Sequence, residues 1–218
     1  MSSFPNAPKL IKAGLVLVDP DTAKVQRIIS LQYNANTLTR SLVSQEVGSD
    51  AHHTEPSRFK GPAVETFKFD ADIDAIDQLE FPDQNAGATQ FGIQPQLSLL
   101  ESLVYPTAAQ LRSVEQQANS GTLEIAPMLA PLVLFVWGKN RIVPVKVTEF
   151  SISEEAFDPS LNPIRAKVGL GLRTLSVDDL GFNSRGGSLF MTYLQNKERL
   201  ASGAAPASLS TLGIGGIG

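Results

Sequence analysis

The 218-residue sequence contains no cysteine, which excludes disulfide bonds, thiolate zinc sites and cysteine nucleophiles. This composition is compatible with assembly in the cytosol. Positive charge is also scarce, because 18 Lys and Arg residues stand against 22 Asp and Glu residues. A net charge of −4 provides no basic stripe that could release phosphate counterions. We therefore expect no role in nucleic-acid binding.

Long hydrophobic runs are absent as well. No stretch reaches the length of a transmembrane helix, and residues 1–20 lack the basic start and apolar centre of a signal peptide. We expect no direct membrane insertion and no export through a signal of the chain's own. The apolar fraction of 42% still suffices for a real hydrophobic core in a chain of this length.

Motifs that would carry catalysis or a cofactor are incomplete. No serine lies in a G-x-S-x-G elbow, and the adjacent pair Glu154-Glu155 cannot flank a scissile bond without a partner elsewhere. Gly213–Gly218 matches G-x-G-x-x-G, but no helix follows it to hold a pyrophosphate. We therefore expect neither an enzyme nor a cofactor-binding protein.

Two groups of residues resemble metal ligands without completing a site. Asp70, Asp72 and Asp74 have the spacing of a calcium loop, but Ala75 replaces the required glycine and Phe81 the required glutamate. An acidic, solvated rim is the alternative interpretation. The pair at positions 52 and 53, His52-His53, points to opposite faces of an extended chain. We expect no metal.

The most informative stretch of the chain runs from Pro131 to Leu175. Five apolar residues, a lone tryptophan and a glycine predict a buried strand over Pro131–Gly138, and Ile142–Phe150 predicts a second strand. Pro144 favours an edge or a bulge for that strand. Asp-Pro and Asn-Pro predict a loop over Ser151–Pro163. Alternating apolar residues then predict a third strand over Ala166–Leu172, completing a three-stranded antiparallel core.

The remainder of the chain predicts further strands, several helices and one long connection. The polar stretch Thr37–Phe59 lacks apolar periodicity, which is typical of a functional or disordered loop. Predicted strands are Ala13–Val18, Val25–Leu31 and Val64–Phe69; predicted helices are Leu97–Val104, Thr107–Asn119 and Ser188–Ser202, with one capped turn at Ser176–Asp179.

Three segments together resemble a known family. The segment "PLVLFVWG", followed by a strand ending in Glu149-Phe150 and then by "FDPSLNPIRAKVGLGL", resembles the N-terminal tube-like domain of contractile injection system adaptor proteins. "LQYNANTL" at residues 31–38 and "GPAVETFKFDADID" at residues 61–74 are similar to two earlier segments of that family, although Asn34-Ala35 replaces the expected Asn-Pro. The resemblance spans roughly residues 10 to 175.

This resemblance implies a mainly β fold with flanking helices (α+β), built as a tail-tube-like antiparallel β-sandwich or flattened barrel. It implies a homo-hexameric ring that joins the spike or hub to the inner tube protein and initiates tube assembly, with baseplate or sheath components as further partners. Such a particle assembles in the cytoplasm and is extracellular or membrane-docked when mature. The region Thr37–Phe59 would be an arm that reaches a neighbouring subunit.

The chain departs from that family after Leu175, where no LysM-like pattern follows. We divide the chain into a tail-tube-like domain (residues 1–175), a helical extension (176–203) and a Gly/Ala-rich tail (204–218). Trp137 is interpreted as a core or subunit-interface residue rather than a ligand-stacking platform. Arg165 is expected to clamp a carboxylate on an adjacent subunit or to pair within its own loop. The remaining interface candidates are Phe157, Asp158, Pro163, His52, His53, Leu212, Ile214 and Ile217.

Other functions remain open on the sequence alone. The polymerising inner tube subunit itself is the nearest alternative, although such chains are usually shorter. A surface- or carbohydrate-binding β-sandwich would expose aromatic residues in loops, and only Tyr105 indicates this. A hydrolase is disfavoured by the incomplete motifs described above.

Overall fold

The computed structural model describes residues 10–20, 22, 24–46, 58–119, 131–205 and 207–216. Within these ranges the chain is mainly β, with flanking helices, as the sequence predicts. Seven strands are present among the described residues: β1 (Gly14–Val18), β2 (Val25–Ser30), β3 (Thr39–Glu46), β4 (Phe59–Asp74), β5 (Leu132–Val136), β6 (Ile142–Phe157) and β7 (Pro163–Thr174).

Six α-helices accompany the described strands. α3 and α6 contribute buried side chains to the main core, whereas α4 has no buried residue among those described. The helices are α1 (Ile76–Leu79), α2 (Ala86–Phe91), α3 (Gln94–Glu101), α4 (Ala108–Asn119), α5 (Val177–Leu180) and α6 (Arg185–Ser202), with 3₁₀ turns at Pro82–Gln84 and Leu209–Leu212.

All seven described strands belong to one antiparallel sheet with the order β2-β1-β5-β6-β7-β4-β3. The three-stranded core predicted from the sequence is confirmed, because β5 pairs with β6 and β6 with β7. β2 and β3 are the two edges of this sheet. The described strands therefore do not divide into two separately hydrogen-bonded sheets.

The sheet curls strongly around its apolar face. β4 and β5 are three strand spacings apart, which is about 14 Å in a flat sheet. The rings of Phe67 on β4 and Phe135 on β5 nevertheless lie only 5.1 Å apart. The Gln32 side chain, just after β2, also donates to the backbone oxygen of Asp74 at 2.7 Å and accepts from its N–H at 3.0 Å. The curled sheet thus approaches a barrel, and Gln32 joins β2 to β4 at one end.

Simple alternation explains why β4 and β7 form strands at the centre of this fold. On β4 the side chains of Phe67, Phe69, Ala71 and Ile73 are buried, whereas the residues between them are charged. β7 buries every second residue from Ala166 to Thr174 in the same way. A period of two places one set of side chains on the core face and the other in water.

Two predicted loops are in part strands. Ser151–Pro163 is not all loop, since β6 continues to Phe157 and pairs with the first half of β7. Thr37–Phe59 is not all connection, because β3 occupies Thr39–Glu46. The strand parts of both stretches are polar, and strands whose faces meet little apolar surface lack the hydrophobic alternation that would predict them.

The prediction that Pro144 lies at an edge or a bulge is also wrong. Pro144 lies in the central strand β6, opposite Leu134 of β5. The ladder between β6 and β7 starts only one residue later, at the pair Val145 and Thr174. Pro144 still accepts a hydrogen bond from the N–H of Leu175 at 2.8 Å. A residue beyond the end of the neighbouring ladder needs no N–H donor, so proline is tolerated there.

Helix α3 covers the open side of the curled sheet. Ile93, Leu97 and Leu100 are buried in the main core together with residues of β1, β2, β4 and β7. The N–H of Ile93 donates to the carbonyl of Pro163 at 2.8 Å. Gly92 has a φ of +58°, and a Cβ there would lie 2.1 Å from the same carbonyl oxygen. Only glycine permits this close approach between the helix and the start of β7.

Candidate assembly surface

The edge strand β3 is exposed on both of its faces. Among the described strands it pairs only with β4, and none of its eight residues is buried. Adjacent residues of a strand point to opposite faces. Leu42 and Val43 are nevertheless both exposed, by 50% and 64%. An unpaired strand edge that also carries apolar side chains is a template for pairing with another chain.

The opposite edge, β2, has a similar character. Only Ile29 is buried along this strand, whereas Val25 and Ile28 are 51% and 66% exposed. β2 pairs with β1 on one side and with no described strand on the other. The described part of the sheet thus ends in two different open edges, each with exposed β-branched residues.

Between these edges, the outer face of β4, β6 and β7 is polar and balanced in charge. Lys68 on β4 reaches over β7 and pairs with Glu149 on β6, with 2.7 Å between Nζ and Oε2. The space comes from Gly171 on β7, where a Cβ would lie 2.7 Å from the Cβ of Glu149. Gly169 similarly leaves room for the Ser151 hydroxyl.

A buried carboxylate ties the C-terminal helix to the sheet near the β3 edge. Glu65 on β4 is 2% exposed and accepts hydrogen bonds from the Tyr193 hydroxyl at 3.0 and 3.1 Å and from Lys197 Nζ at 2.6 Å. Arg40 Nε on β3 lies 3.5 Å from Glu65 Oε1. A buried charge is tolerated only when it is paired and hydrogen-bonded, as it is here. One side chain therefore links β3, β4 and α6.

The Tyr193 hydroxyl in this cluster remains a donor. Burial raises the pKa of Tyr193, and the negative charge of Glu65 with its hydrogen bond raises that pKa further. The pKa lies well above its ordinary range, so the phenol stays protonated across physiological pH. Lys197 Nζ also lies 4.3 Å from the centre of the Tyr193 ring, a favourable cation–π distance.

The start of α5 forms the capped turn that the sequence predicts. The Ser176 side chain accepts from the N–H of Asp178, and the Asp179 carboxylate accepts from the N–H of Ser176 at 3.0 Å. Arg173 of β7 donates two hydrogen bonds to Asp179 Oδ1, each 3.0 Å long. Partial burial opposes ionisation of Asp179, but these hydrogen bonds and the charge of Arg173 outweigh it and lower its pKa.

Trp137, the first of the predicted interface residues, lies against the aromatic core. Its ring centroid is 5.9 Å from that of Phe69 and 5.7 Å from that of Phe135. The side chain is half-buried, so its packing agrees with the interpretation as a core residue. Trp137 directly follows β5, and Gly138 after it adopts a φ of +76° in the turn to β6. Its role in a subunit interface stays a prediction.

The turn between β6 and β7 contains the next candidates. Asp158 Oδ1 accepts from the N–H of Ser160 and of Asn162, and Oδ2 accepts from the Asn162 amide. Hydrogen bonds from Asn162, with that from Ser160, lower the pKa of Asp158 despite an opposing desolvation effect. Phe157 is 48% exposed, whereas Pro163 is fully buried. These contacts give Asp158 a turn-forming role within the chain.

Arg165 pairs within its own chain but not within its own loop. Its Nε and Nη2 lie 3.0 and 2.9 Å from Asp74 Oδ2, on the neighbouring strand β4. The ion pair is partly exposed, with the arginine side chain 48% accessible. A clamp on an adjacent subunit would therefore have to compete with Asp74, and it stays a prediction.

The remaining interface candidates lie in the C-terminal tail or outside the described residues. Leu212 and Ile214 are 68% and 42% exposed. His52, His53 and Ile217 lie outside the described residues, as does part of the Gly213–Gly218 motif. Phe157, Asp158, Pro163 and Arg165 lie where β6 ends and β7 begins, whereas Trp137 precedes the other end of β6 and Leu212 and Ile214 lie in the tail.

Sequence reasoning missed both β3 and the Glu65 cluster. Glu65 shares the inward face with Phe67 and Phe69, so a charged residue in register with core positions was the available signal. Its partners Tyr193 and Lys197 are 128 and 132 residues away, and only tertiary structure reveals them. For β3, the alternation of hydrophobic residues is too weak to distinguish a strand from a loop.

Among the described residues, no group of three or more His, Asp or Glu side chains has the arrangement of a metal site. Asp70, Asp72 and Asp74 follow one another on the outer face of β4 instead of surrounding a common point, because alternate residues of a strand share a face. No helix in the described ranges is long and apolar enough to cross a membrane.

The solved structures that match this chain include two from gene transfer agent particles, and both of these matches are weak. No protein-family model matches the chain, and no curated protein matches it. A chain from the tail of an empty gene transfer agent particle, refined with helical and C6 symmetry, is 10% identical with a TM-score of 0.29, covering 75% of this chain and 90% of that one. A chain from the native virion of a gene transfer agent is 10% identical with a TM-score of 0.26, covering 73% and 90%. TM-scores this low do not establish a shared fold, so function has to be argued from the chain's own features.

Proposed function

We propose that this chain is a structural component of a phage-tail-like contractile injection particle. In this proposal it forms a hexameric ring that joins the spike or hub to the inner tube and initiates tube assembly. The family resemblance over roughly residues 10 to 175 supports the class of particle. The open edges of the sheet support assembly through the chain's own copies.

The observation that carries the proposal is the pair of unlike edges, β2 and β3. If β3 of one copy pairs with β2 of the next, the contact is heterologous, and a row of copies keeps one free β2 edge at one end and one free β3 edge at the other. Such contacts close into a ring when the rotation between copies is a simple fraction of a turn. Ring closure removes every free edge and hence the risk of aggregation at an open strand.

Ring closure by this route also predicts which surface lines the central channel. The apolar face of the sheet is covered within the subunit by α3 and by its own curl. The outer face of β4, β6 and β7 has charged groups that pair with each other, such as Lys68 with Glu149 and Arg165 with Asp74. In the proposed ring this polar face of the joined sheets surrounds the channel, and the spike or hub and the inner tube bind the two ends.

The experiment that tests the ring uses one charged substitution at each edge. Val43→Glu on β3 and Ile28→Glu on β2 replace residues that are 64% and 66% exposed in the single chain, so both variants should fold normally. A new charge becomes buried only if the edge is covered by another copy. Leu161→Glu, at a 78% exposed position in the β6–β7 turn, is the matched control.

Light scattering after size exclusion should show a ring for the wild type and for Leu161→Glu, and single chains for each edge variant. Mixing the two edge variants should give a heterodimer and nothing larger, because one intact β2 edge meets one intact β3 edge. A monodisperse monomer for the wild type would refute the ring. If Ile28→Glu still assembles, the contact is not between β2 and β3.

Electron microscopy separates the proposed initiator ring from the alternative that this chain is the inner tube subunit. A polymerising tube subunit forms long tubes of many stacked rings, whereas an initiator ring stays discrete until inner tube protein is added. Negative-stain images of the purified chain, with and without the tube protein of the same particle, should therefore show isolated rings that become the end layer of tubes.

A further inference from the structure

An open apolar groove lies beside the edge strand β2. Its volume is 670 Å³, and its lining includes Leu17 of β1, Arg27 of β2 and the connection between α3 and α4. Val104 and Tyr105 in that connection are 43% and 70% exposed. Among the described residues of the lining, Arg27 is the only Lys, Arg, Asp or Glu, and it already donates to the Ser102 hydroxyl at 3.4 Å. The groove therefore suits an uncharged, apolar ligand.

The tail of the same chain provides a segment with matching character. The 3₁₀ turn Leu209–Leu212 is closed by a hydrogen bond from the N–H of Ile214 to the carbonyl of Leu209, 3.2 Å long. Leu209, Leu212 and Ile214 nevertheless remain 40%, 68% and 42% exposed. No charged side chain occurs anywhere in residues 204–218. We call the described residues 207–216 the tail knob.

The position of α6 determines where the tail knob leaves the subunit. Lys197 and Tyr193 bond to Glu65 on β4, and Arg40 on β3 approaches the same carboxylate. The end of α6 at Ser202 is five residues beyond Lys197, about 7.5 Å along the helix. The tail knob therefore emerges at the β3 side of the sheet, whereas the groove lies at the β2 side.

We propose that the tail knob of one copy docks into the β2-side groove of the adjacent copy. The inference rests on the proposed function, because pairing of β3 with β2 brings the β3 side of one copy against the β2 side of the next. Apolar side chains exposed on the knob then become buried in an apolar groove, which is favourable at roughly 25 cal/mol per Å² of buried surface. Two contacts then stabilise each junction between copies of the ring: the pairing of β3 with β2 and the docked tail knob.

Because the chain has no cysteine, the docking can be tested by cross-linking between single-cysteine variants. Gly215→Cys labels the end of the tail knob without removing an apolar side chain, and Val104→Cys labels the groove. Leu161→Cys labels an exposed turn outside the groove and is the control. Mixed and oxidised, the first two variants should cross-link about tenfold more than Gly215→Cys with Leu161→Cys, because docking raises the effective concentration.

A second variant tests whether the apolar side chains cause the docking. Leu209→Ala together with Leu212→Ala in the Gly215→Cys chain should reduce the cross-link to the level of the control. A ring that assembles but cross-links no more than the control would overturn the docking and leave the proposed function intact. Absence of any ring would overturn both. A cross-link within a monomeric Gly215→Cys/Val104→Cys chain would show that the knob binds its own groove, which also overturns the inference.

Discussion

Strands β3 and β7 both pair with β4, one on each side, yet their environments are opposite. β7 buries every second side chain from Ala166 to Thr174, and it lies between two partners. β3 has one partner among the described strands and no buried residue. The centre of the sheet is thus complete within one chain, whereas its edge has apolar residues that the described part of the chain does not cover. This difference fits the proposal that the edge pairs with other copies, while the centre stabilises the fold.

The largest effect on the free energy of unfolding is expected from a substitution at the centre of the sheet. Phe135→Ala removes a fully buried ring on β5 that packs against Phe67, Phe69 and Trp137. The cavity and the lost burial should lower the free energy of unfolding by about 3–5 kcal/mol. Urea denaturation measures this value, and a loss below about 1 kcal/mol would contradict the central position of Phe135 in the core.

A smaller but still large loss is expected at the cluster that joins the edge to the C-terminal helix. Glu65→Ala leaves Lys197 and Arg40 without their buried partner, and the free energy of unfolding should fall by about 2–4 kcal/mol. Because Lys197 is partly exposed, the effect stays below that of a fully buried pair.

Glu149→Ala is the matched control for Glu65→Ala. It removes an ion pair with Lys68 whose two side chains are about 60% exposed. Such a pair contributes about 0.2–1 kcal/mol in water. Equal losses in the two variants would show that burial of Glu65 is not what makes its cluster important.

An effect of intermediate size on the free energy of unfolding is expected at Asp179, and this effect depends on pH. Asp179→Asn weakens the cap of α5 and the pair with Arg173, and should lower the free energy of unfolding by about 1 kcal/mol at pH 7. The folded-state pKa of Asp179 is lower than in the unfolded chain. Its stabilisation is therefore present above the unfolded pKa, near 4, and is lost as the pH falls through the folded-state value. Urea denaturation should show a difference between the two proteins at pH 7 that narrows below pH 4.

The smallest effect on the single chain is expected at the edge itself. Val43→Ala on β3 should change the free energy of unfolding by less than about 0.5 kcal/mol, since the side chain is 64% exposed. The matched change Val168→Ala on β7 removes a fully buried side chain and should cost about 2 kcal/mol or more. Thermal or urea denaturation of both variants gives the comparison directly. If Val43→Ala destabilises the monomer as strongly as Val168→Ala, the edge is covered within the chain.

The sequence predicted the centre of the fold better than its periphery. The buried strand β5, the alternation in β7 and the capping box of α5 depend on neighbours in sequence, so local pattern was enough. The second half of β6 was taken for a loop, because Asp158-Pro and Asn162-Pro mark only the short turn that follows it. The predicted division into three parts stays a prediction, although Tyr193 of the helical extension belongs to the main core.

For the candidate surface, the family resemblance implied assembly without revealing its geometry. The sequence also marked Trp137 and the apolar tail as sites of interest. It did not identify β2 and β3 as edges, because the order of strands depends on which distant segments pair.

The sequence by itself determined the alternating strands, the helix caps and the absence of cysteine chemistry, because each depends on residue type and short-range spacing. Only the tertiary structure decided that the sheet curls until Phe67 meets Phe135, that Glu65 is buried with partners from β3 and α6, and that the described strands end in two unlike open edges. These features depend on contacts between residues far apart in the chain, and their energies come from burial that no local pattern encodes.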